Sequence, residues 1–391
     1  RSPINDRWLE SGILGSKSSP SWKDIGEYRT RIDSARPSCN VAILIGYGAV
    51  RRAVLGSSRE RPTRKEFREI HQHLSAGMNA GALGVSTGLT YEPGRYSSTE
   101  ELIRAIEPVS QDKGLYVSHI RNEGSGLVEA VEEATEIGMR GGCGLRISHH
   151  KALGQANWGK VKQSISAIDS ARSESLDVTT DVYPYTASST LLHTVVKEGI
   201  GSDEAASVVV ASSVYPDSVG RSLLDLGELN GLAFDEMAFR LTETDPETVV
   251  VRHGMTEVDV CAVMRHDVAM IGSDGLPSAG GRPHPRLYGT FPRVLGRYVR
   301  ESGVLTLPEA IRKMTSLPAE KFRLDRRGAI RKGWYADLSL FDPEMVVDRA
   351  TYEDPRLLST GVLHVIVNGD LVVSNGRHLG TRSGYVLNPS S

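Results

Sequence analysis

A chain of 391 residues can bury a large core, and it leaves room for one large α/β barrel or for two ordinary domains. Its charges nearly cancel, 46 Lys and Arg against 48 Asp and Glu, so no basic surplus exists to hold nucleic acid or an anionic membrane, and a small molecule is the expected partner. Three cysteines (Cys39, Cys143, Cys261) are too few and too scattered for a disulfide framework, which fits a reducing, cytoplasmic setting, and no apolar run approaches the roughly 18 to 20 residues of a membrane span.

The first 38 residues are polar and open on Arg1, which reads as a chain entered partway through. A regular pattern begins at residue 41. Val41 to Gly46 is a short apolar run before a turn, the mark of a strand buried on both faces. Thr63 to Asn79 carries Phe67, Ile70, Leu74 and Met78 at spacings of three and four, an amphipathic helix. The cycle then repeats: strand at 84–87 and helix at 99–111, strand at 115–119 and helix at 127–139, strand at 145–149 and helix at 159–172, strand at 177–182.

Strand ends recur near 86, 119, 149 and 181, at steps of 33, 30 and 32 positions. Strands about 30 residues apart with helices between them are βαβ units of a parallel sheet. Polar residues gather at the C-terminal end of each strand, the face that holds the active site in a (β/α)8 barrel; a doubly wound open sheet gives similar spacing. From 190 to about 265 the pattern blurs, with a strand expected at 206–211 and a short helix at 234–241. A strand returns at 268–274, followed by helices at 307–314 and 319–324. After residue 328 the segments 336–341 and 364–373 read as β-strands, the second folded about an Asn368-Gly369-Asp370 hairpin turn. The chain is expected to divide into residues 1–325, a parallel α/β unit of barrel or open-sheet type, and residues 326–391, part of a small β domain.

Three strand ends carry metal-competent side chains: His119, then His149-His150, then Asp274. A lone histidine there is more often a structural hydrogen-bonder. Three such ends converging on one mouth make a shared metal site the better account, with imidazole and carboxylate as the usual zinc ligands where thiolates are few.

The segments Gly84-Val85-Ser86-Thr87-Gly88, Ser118-His119-Ile120-Arg121-Asn122-Glu123-Gly124, Ile147-Ser148-His149-His150-Lys151, Asp181-Val182-Tyr183-Pro184-Tyr185, Gly272-Ser273-Asp274-Gly275-Leu276-Pro277 and His284 through Arg293 carry a likeness. Together and in this order they resemble the D-aminoacylase branch of the amidohydrolases. That resemblance implies a TIM-like (β/α)8 barrel, incomplete at its N-terminus, and zinc-dependent hydrolysis of N-acyl-D-amino acids. It implies His119 and His149 as zinc ligands at the ends of barrel strands five and six. Asp274, ending strand eight, is expected to take a proton from a water activated by the metal and to return it to the leaving amine. Tyr91, Lys151, Tyr183, Ser189 and Arg286 match residues that hold the substrate, with Lys151 and Arg286 expected to pair with its carboxylate.

Two departures stand out. The branch carries a His-x-His pair on the first barrel strand and a metal-binding cysteine near the second, and both are expected upstream of Arg1. His71-Gln72-His73 has the right form but falls in the predicted helix 63–79, where side chains two apart point away from each other. Cys143 precedes a strand rather than ending one and reads as a small buried residue. Two rivals remain on the residues alone. A cyclic amidase of hydantoinase type would carry a lysine at the end of strand four, where Ser86 to Tyr91 offers none. A non-catalytic barrel, or an inactive fragment, would account for the missing ligands.

Overall fold

A computed structural model describes residues 22–276 and 280–389. Five strands come first: β1 (Ile45–Gly46), β2 (Gly84–Gly88), β3 (Leu115–His119), β4 (Gly144–Ile147) and β5 (Val178–Val182). Then follow β6 (Ala187–Leu191), β7 (Val208–Ser212) and β8 (Val249–His253), then β9 (Ala269–Ile271). The chain closes with β10 (Leu338–Phe341), β11 (Val362–Val367), β12 (Asp370–Ser374) and β13 (Arg377–His378).

β1, β2, β3, β4, β5 and β9 form one sheet in that order, every pair parallel. Parallel neighbours require crossovers, and helices supply them on the outside. This is barrel architecture with six of eight strands among the described residues. The C-terminal ends of all six face the same way, so residues far apart in sequence meet at one rim.

The crossover helices follow their apolar stripes. Helix Arg64–Asn79 starts on a capping box, Thr63 with Glu66, and buries Phe67, Ile70, Leu74 and Met78. The helix expected over 99–111 is instead two, Thr99–Ala105 and Glu107–Gln111. Pro108 has no N–H to donate to Arg104 O four residues back, and His71 Nε2 lies 2.8 Å from that carbonyl. His71 thus has a structural partner on the outside of the barrel. The strand expected over 41–46 forms a ladder only at Ile45 and Gly46, while Val41 bridges Val386 near the chain end.

The blurred stretch is an inserted unit. β6, β8 and β7 make a three-stranded antiparallel sheet between β5 and β9, with a small core of its own that includes Leu192, Val208, Leu223, Leu241 and Val250. Its alternation was hard to read because β6 is Ala-Ser-Ser-Thr-Leu, a strand with little apolar contrast. The tail is a four-stranded antiparallel sheet, β10 to β13, whose central hairpin turns at Asn368 and Gly369, both at positive φ (52° and 91°). Among the described residues no helix is long and apolar enough to cross a membrane.

Candidate active site

β3 ends on His119, in register with Gly88 of β2. The β4 ladder ends at Ile147, so His149 stands two residues beyond it, in a left-handed conformation (φ 40°). Asp274 lies three residues past β9, also left-handed (φ 47°). Such backbone costs a non-glycine residue of order 1–3 kcal/mol and persists only where surrounding contacts hold it. For His149 one such contact is visible: its N–H donates to Asp181 Oδ1 on β5 at 2.8 Å.

The two imidazoles face each other. His119 Nδ1 lies 2.9 Å from His149 Nε2, with ring centroids 4.5 Å apart. Each ring's second nitrogen is engaged behind. His119 Nε2 is 3.1 Å from Thr90 Oγ1; His149 Nδ1 is 2.9 Å from Glu123 Oε1 and 2.8 Å from Lys151 Nζ. Burial pushes the His119 pKa down to about 3, so the ring is neutral and keeps a lone pair at one nitrogen. Two inward nitrogens with the outer ones tied are the arrangement of metal-ligating histidines.

Glu123 belongs to the same cluster, with potential ligand atoms of all three residues within 4.8 Å of one another. Its carboxylate, however, sits on the far side of the His149 ring from His119, where it orients the ring instead of sharing an ion. Although burial pushes its carboxyl up, Lys151 and the two histidines hold it well below the usual range. A cavity of about 390 Å³ is lined by His119, His149, Asp181, Asp274, Thr87 and Phe322. Burial raises the Asp181 carboxyl, opposed by His149, while the negative charge of Asp274 adds to the rise. Two imidazoles and two carboxylates on one cavity wall therefore fit a divalent cation by donor type and by charge.

A second group adjoins it. Arg286, only 2% exposed, opens helix Arg286–Arg293 and places Nη2 2.8 Å from Asp274 Oδ2. Its Nε and Nη1 have no hydrogen-bond partner among the described residues. The guanidinium stacks 4.5 Å from the Tyr183 ring, and Lys151 Nζ lies 5.6 Å from the same ring. Lys151 is buried and ion-paired with Glu123. Tyr91 packs on His119 (centroids 5.0 Å) and its hydroxyl is 3.2 Å from Thr190 Oγ1. Ser189 lies on β6 opposite Val251 and lines neither cavity described here. A larger cavity, about 660 Å³, runs between the insertion and the barrel loops, with Tyr91, Glu123, Lys197, Glu198 and Arg252 on its walls.

Four residues that hold this site together did not stand out in the sequence: Thr90, Glu123, Asp181 and His284. Asp181 had a signal, since it is a polar residue at a strand end. Glu123 falls in the loop after β3, inside a segment that carries the family likeness, but nothing gives it a role until the fold brings it to His149. His284 bridges the insertion and the guanidinium: Nε2 lies 2.9 Å from Ala187 O, and Nδ1 accepts from Arg286 N at 3.0 Å. Cys143 is buried below β4, away from the rim, and His73 is exposed on its helix.

A parallel barrel whose rim carries facing imidazoles, half-buried carboxylates and a buried guanidinium defines a metal-dependent hydrolase. Comparison with known proteins narrows the class. A model of the amidohydrolase family matches residues 243–373. The N-acyl-D-glutamate deacylase of Alcaligenes xylosoxydans xylosoxydans is 40% identical over 365 residues, covering 91% of this chain and 71% of that protein. The D-aminoacylase of the same organism is 35% identical over 382 residues, 96% of this chain and 75% of its own. The crystal structure of N-acyl-D-glutamate deacylase from Bordetella bronchiseptica, complexed with zinc and a phosphonate inhibitor, superposes with a TM-score of 0.89 at 37% identity, covering 96% of this chain and 77% of that one. The chain belongs to the D-aminoacylase family of amidohydrolases. A D-hydantoinase structure reaches only 13% identity and a TM-score of 0.55, a likeness of fold alone.

Proposed function

We propose that the chain hydrolyses the amide bond of N-acyl-D-amino acids with zinc as its metal, releasing a D-amino acid and a carboxylic acid. The observation that carries this reading is the pair of facing nitrogens, His119 Nδ1 and His149 Nε2, on the same rim as Asp274 and Arg286. His119 and His149 would hold the ion; when bound, zinc supplies Lewis acidity, activating water and polarising the scissile carbonyl. Asp274 would receive the proton from the attacking water and pass it to the leaving amine, a role supported by its place on the rim, with Oδ2 engaged by Arg286 and Oδ1 left for the proton.

Arg286 leaves Nε and Nη1 without a partner on opposite edges of its guanidinium, and either can give a substrate carboxylate a charge-assisted bond. Tyr183 fixes its plane by stacking. Lys151 adds positive charge nearby, offset by Glu123, which leaves Arg286 the principal clamp. Tyr91, on the wall of the larger cavity, would line the side-chain end of the substrate, and Ser189 is carried over from the family likeness alone. The D preference and the zinc come from the family likeness, and the same reading divides the chain near residue 325 into catalytic barrel and small β domain.

The test is release of free amino acid from N-acetyl-D- and N-acetyl-L-amino acid pairs, before and after chelation. Chelator-sensitive, zinc-restored, D-selective turnover is expected. Turnover indifferent to chelator would overturn the metal assignment, and L preference would overturn the substrate.

A further inference from the structure

We infer that Glu123 and Lys151 act as a charge-paired positioning unit for His149, fixing which of its ring nitrogens carries the proton; this rests on the metal-centre reading above. His149 Nδ1 has two polar neighbours with opposite demands. Glu123 Oε1, at 2.9 Å, can only accept, so it calls for a proton on Nδ1. Lys151 Nζ, at 2.8 Å, can only donate, so it calls for a bare Nδ1. Only the first choice leaves a lone pair on Nε2, the nitrogen that faces His119.

The contact between Lys151 and Glu123 resolves the conflict. With the ammonium donating to Glu123 Oε1, its demand is met by the carboxylate, and the imidazole is left to donate to the same oxygen. All three side chains lie at 11% exposure or below, so water offers little alternative. His119 has no such device: its rear partner is Thr90, whose hydroxyl accepts or donates as required. A merely structural role for the ion pair would be to tie the loop after β3 to the loop after β4. The backbone bond from Leu153 N to Glu123 O, at 2.7 Å, already does that.

Glu123→Gln keeps the shape but leaves the Lys151 ammonium uncompensated beside Nδ1, where it draws the lone pair and moves the ring proton to Nε2. Zinc affinity, read by competition with a chromophoric chelator on the full chain, should fall about 10- to 100-fold, the range for loss of a group that orients a ligand. Lys151→Met alone removes the rival donor and should keep zinc affinity within about threefold of the parent, well short of that range. The double variant Glu123→Gln/Lys151→Met should regain at least tenfold over Glu123→Gln. Histidine-selective ¹⁵N spectra of the metal-free chain should report the proton on Nδ1 of His149 in the parent and on Nε2 in Glu123→Gln. Equal zinc affinity of Glu123→Gln and parent, loss of affinity in Lys151→Met as large as in Glu123→Gln, or one tautomer in both spectra would overturn the inference. A parent chain that takes up no zinc would instead overturn the metal-centre reading itself.

Discussion

Replacing Arg286 by Ala tests the carboxylate clamp, and the structure sets the size of the effect. The guanidinium is 2% exposed and makes one ion pair, to Asp274, leaving two buried donors for a ligand. Truncating one partner of a buried, hydrogen-bonded charge pair costs about 2 to 5 kcal/mol. At about 1.4 kcal/mol per tenfold, kcat/KM for a free N-acetyl-D-amino acid should fall by about 30-fold to a few thousandfold. The substitution also strips Asp274 of its neighbour, and that second effect falls on every substrate. Steady-state kinetics on each acid and its primary carboxamide separate the two, because the acid-to-amide ratio of kcat/KM cancels the common loss. The ratio should fall at least tenfold in Arg286→Ala and less in Arg286→Lys, which keeps the charge but loses the planar guanidinium. An unchanged ratio refutes the clamp, however large the overall loss.

Asp274→Asn should lower kcat by about 10²- to 10⁴-fold, the usual yield of a positioned acid–base group, while zinc measured by atomic absorption stays bound; undiminished turnover removes Asp274 from its role. His150 is buried, 2.7 Å from Ser164 Oγ, and burial holds its pKa down to about 3 against an ordinary 6.5. Because the folded value is depressed, the unfolded chain binds the proton first: stability is full above about pH 6.5 and is lost as pH falls toward 3. At pH 5 the deficit is about 2 kcal/mol relative to pH 7.5, so His150→Gln should show a shallower acid loss in urea melts, and an identical pH slope would count against the assignment. The double substitution His71→Ala/His73→Ala should leave zinc content unaltered, since both residues lie on helix Arg64–Asn79 outside the barrel, His71 against Arg104 O; loss of metal would return that pair to candidacy.

The repeat of about 30 residues was legible because each barrel strand is a short apolar run and each crossover helix buries a stripe. Its strand ends named His119, His149 and Asp274. The insertion was less legible. Its sheet buries small apolar clusters on both faces, and on β6 Ser188, Ser189 and Thr190 lack the contrast that periodicity needs. Lys151 illustrates a different limit. Sequence resemblance marked it as a substrate contact, yet its buried partner Glu123 lies 28 positions away, and only the β3–β4 register brings the two together.

Strand ends alone do not aim side chains. His149 and His150 are adjacent, and in an extended chain neighbours point to opposite faces. His150 does turn outward, to Ser164 on helix Val161–Ser173. His149 reaches the rim because the ladder has already stopped at Ile147 and its backbone turns left-handed, pinned by Asp181. Asp274 repeats the device beyond β9, pinned by Arg286. The sheet gathers the residues, while two unfavourable backbone turns, each held by a charged neighbour, point them inward. That division gives these two rim positions a reason for the positive φ that several ordinary turns of the chain also show. It also implies that removing the pinning group, Asp181 or Arg286, disturbs the aim of its partner before it disturbs the fold.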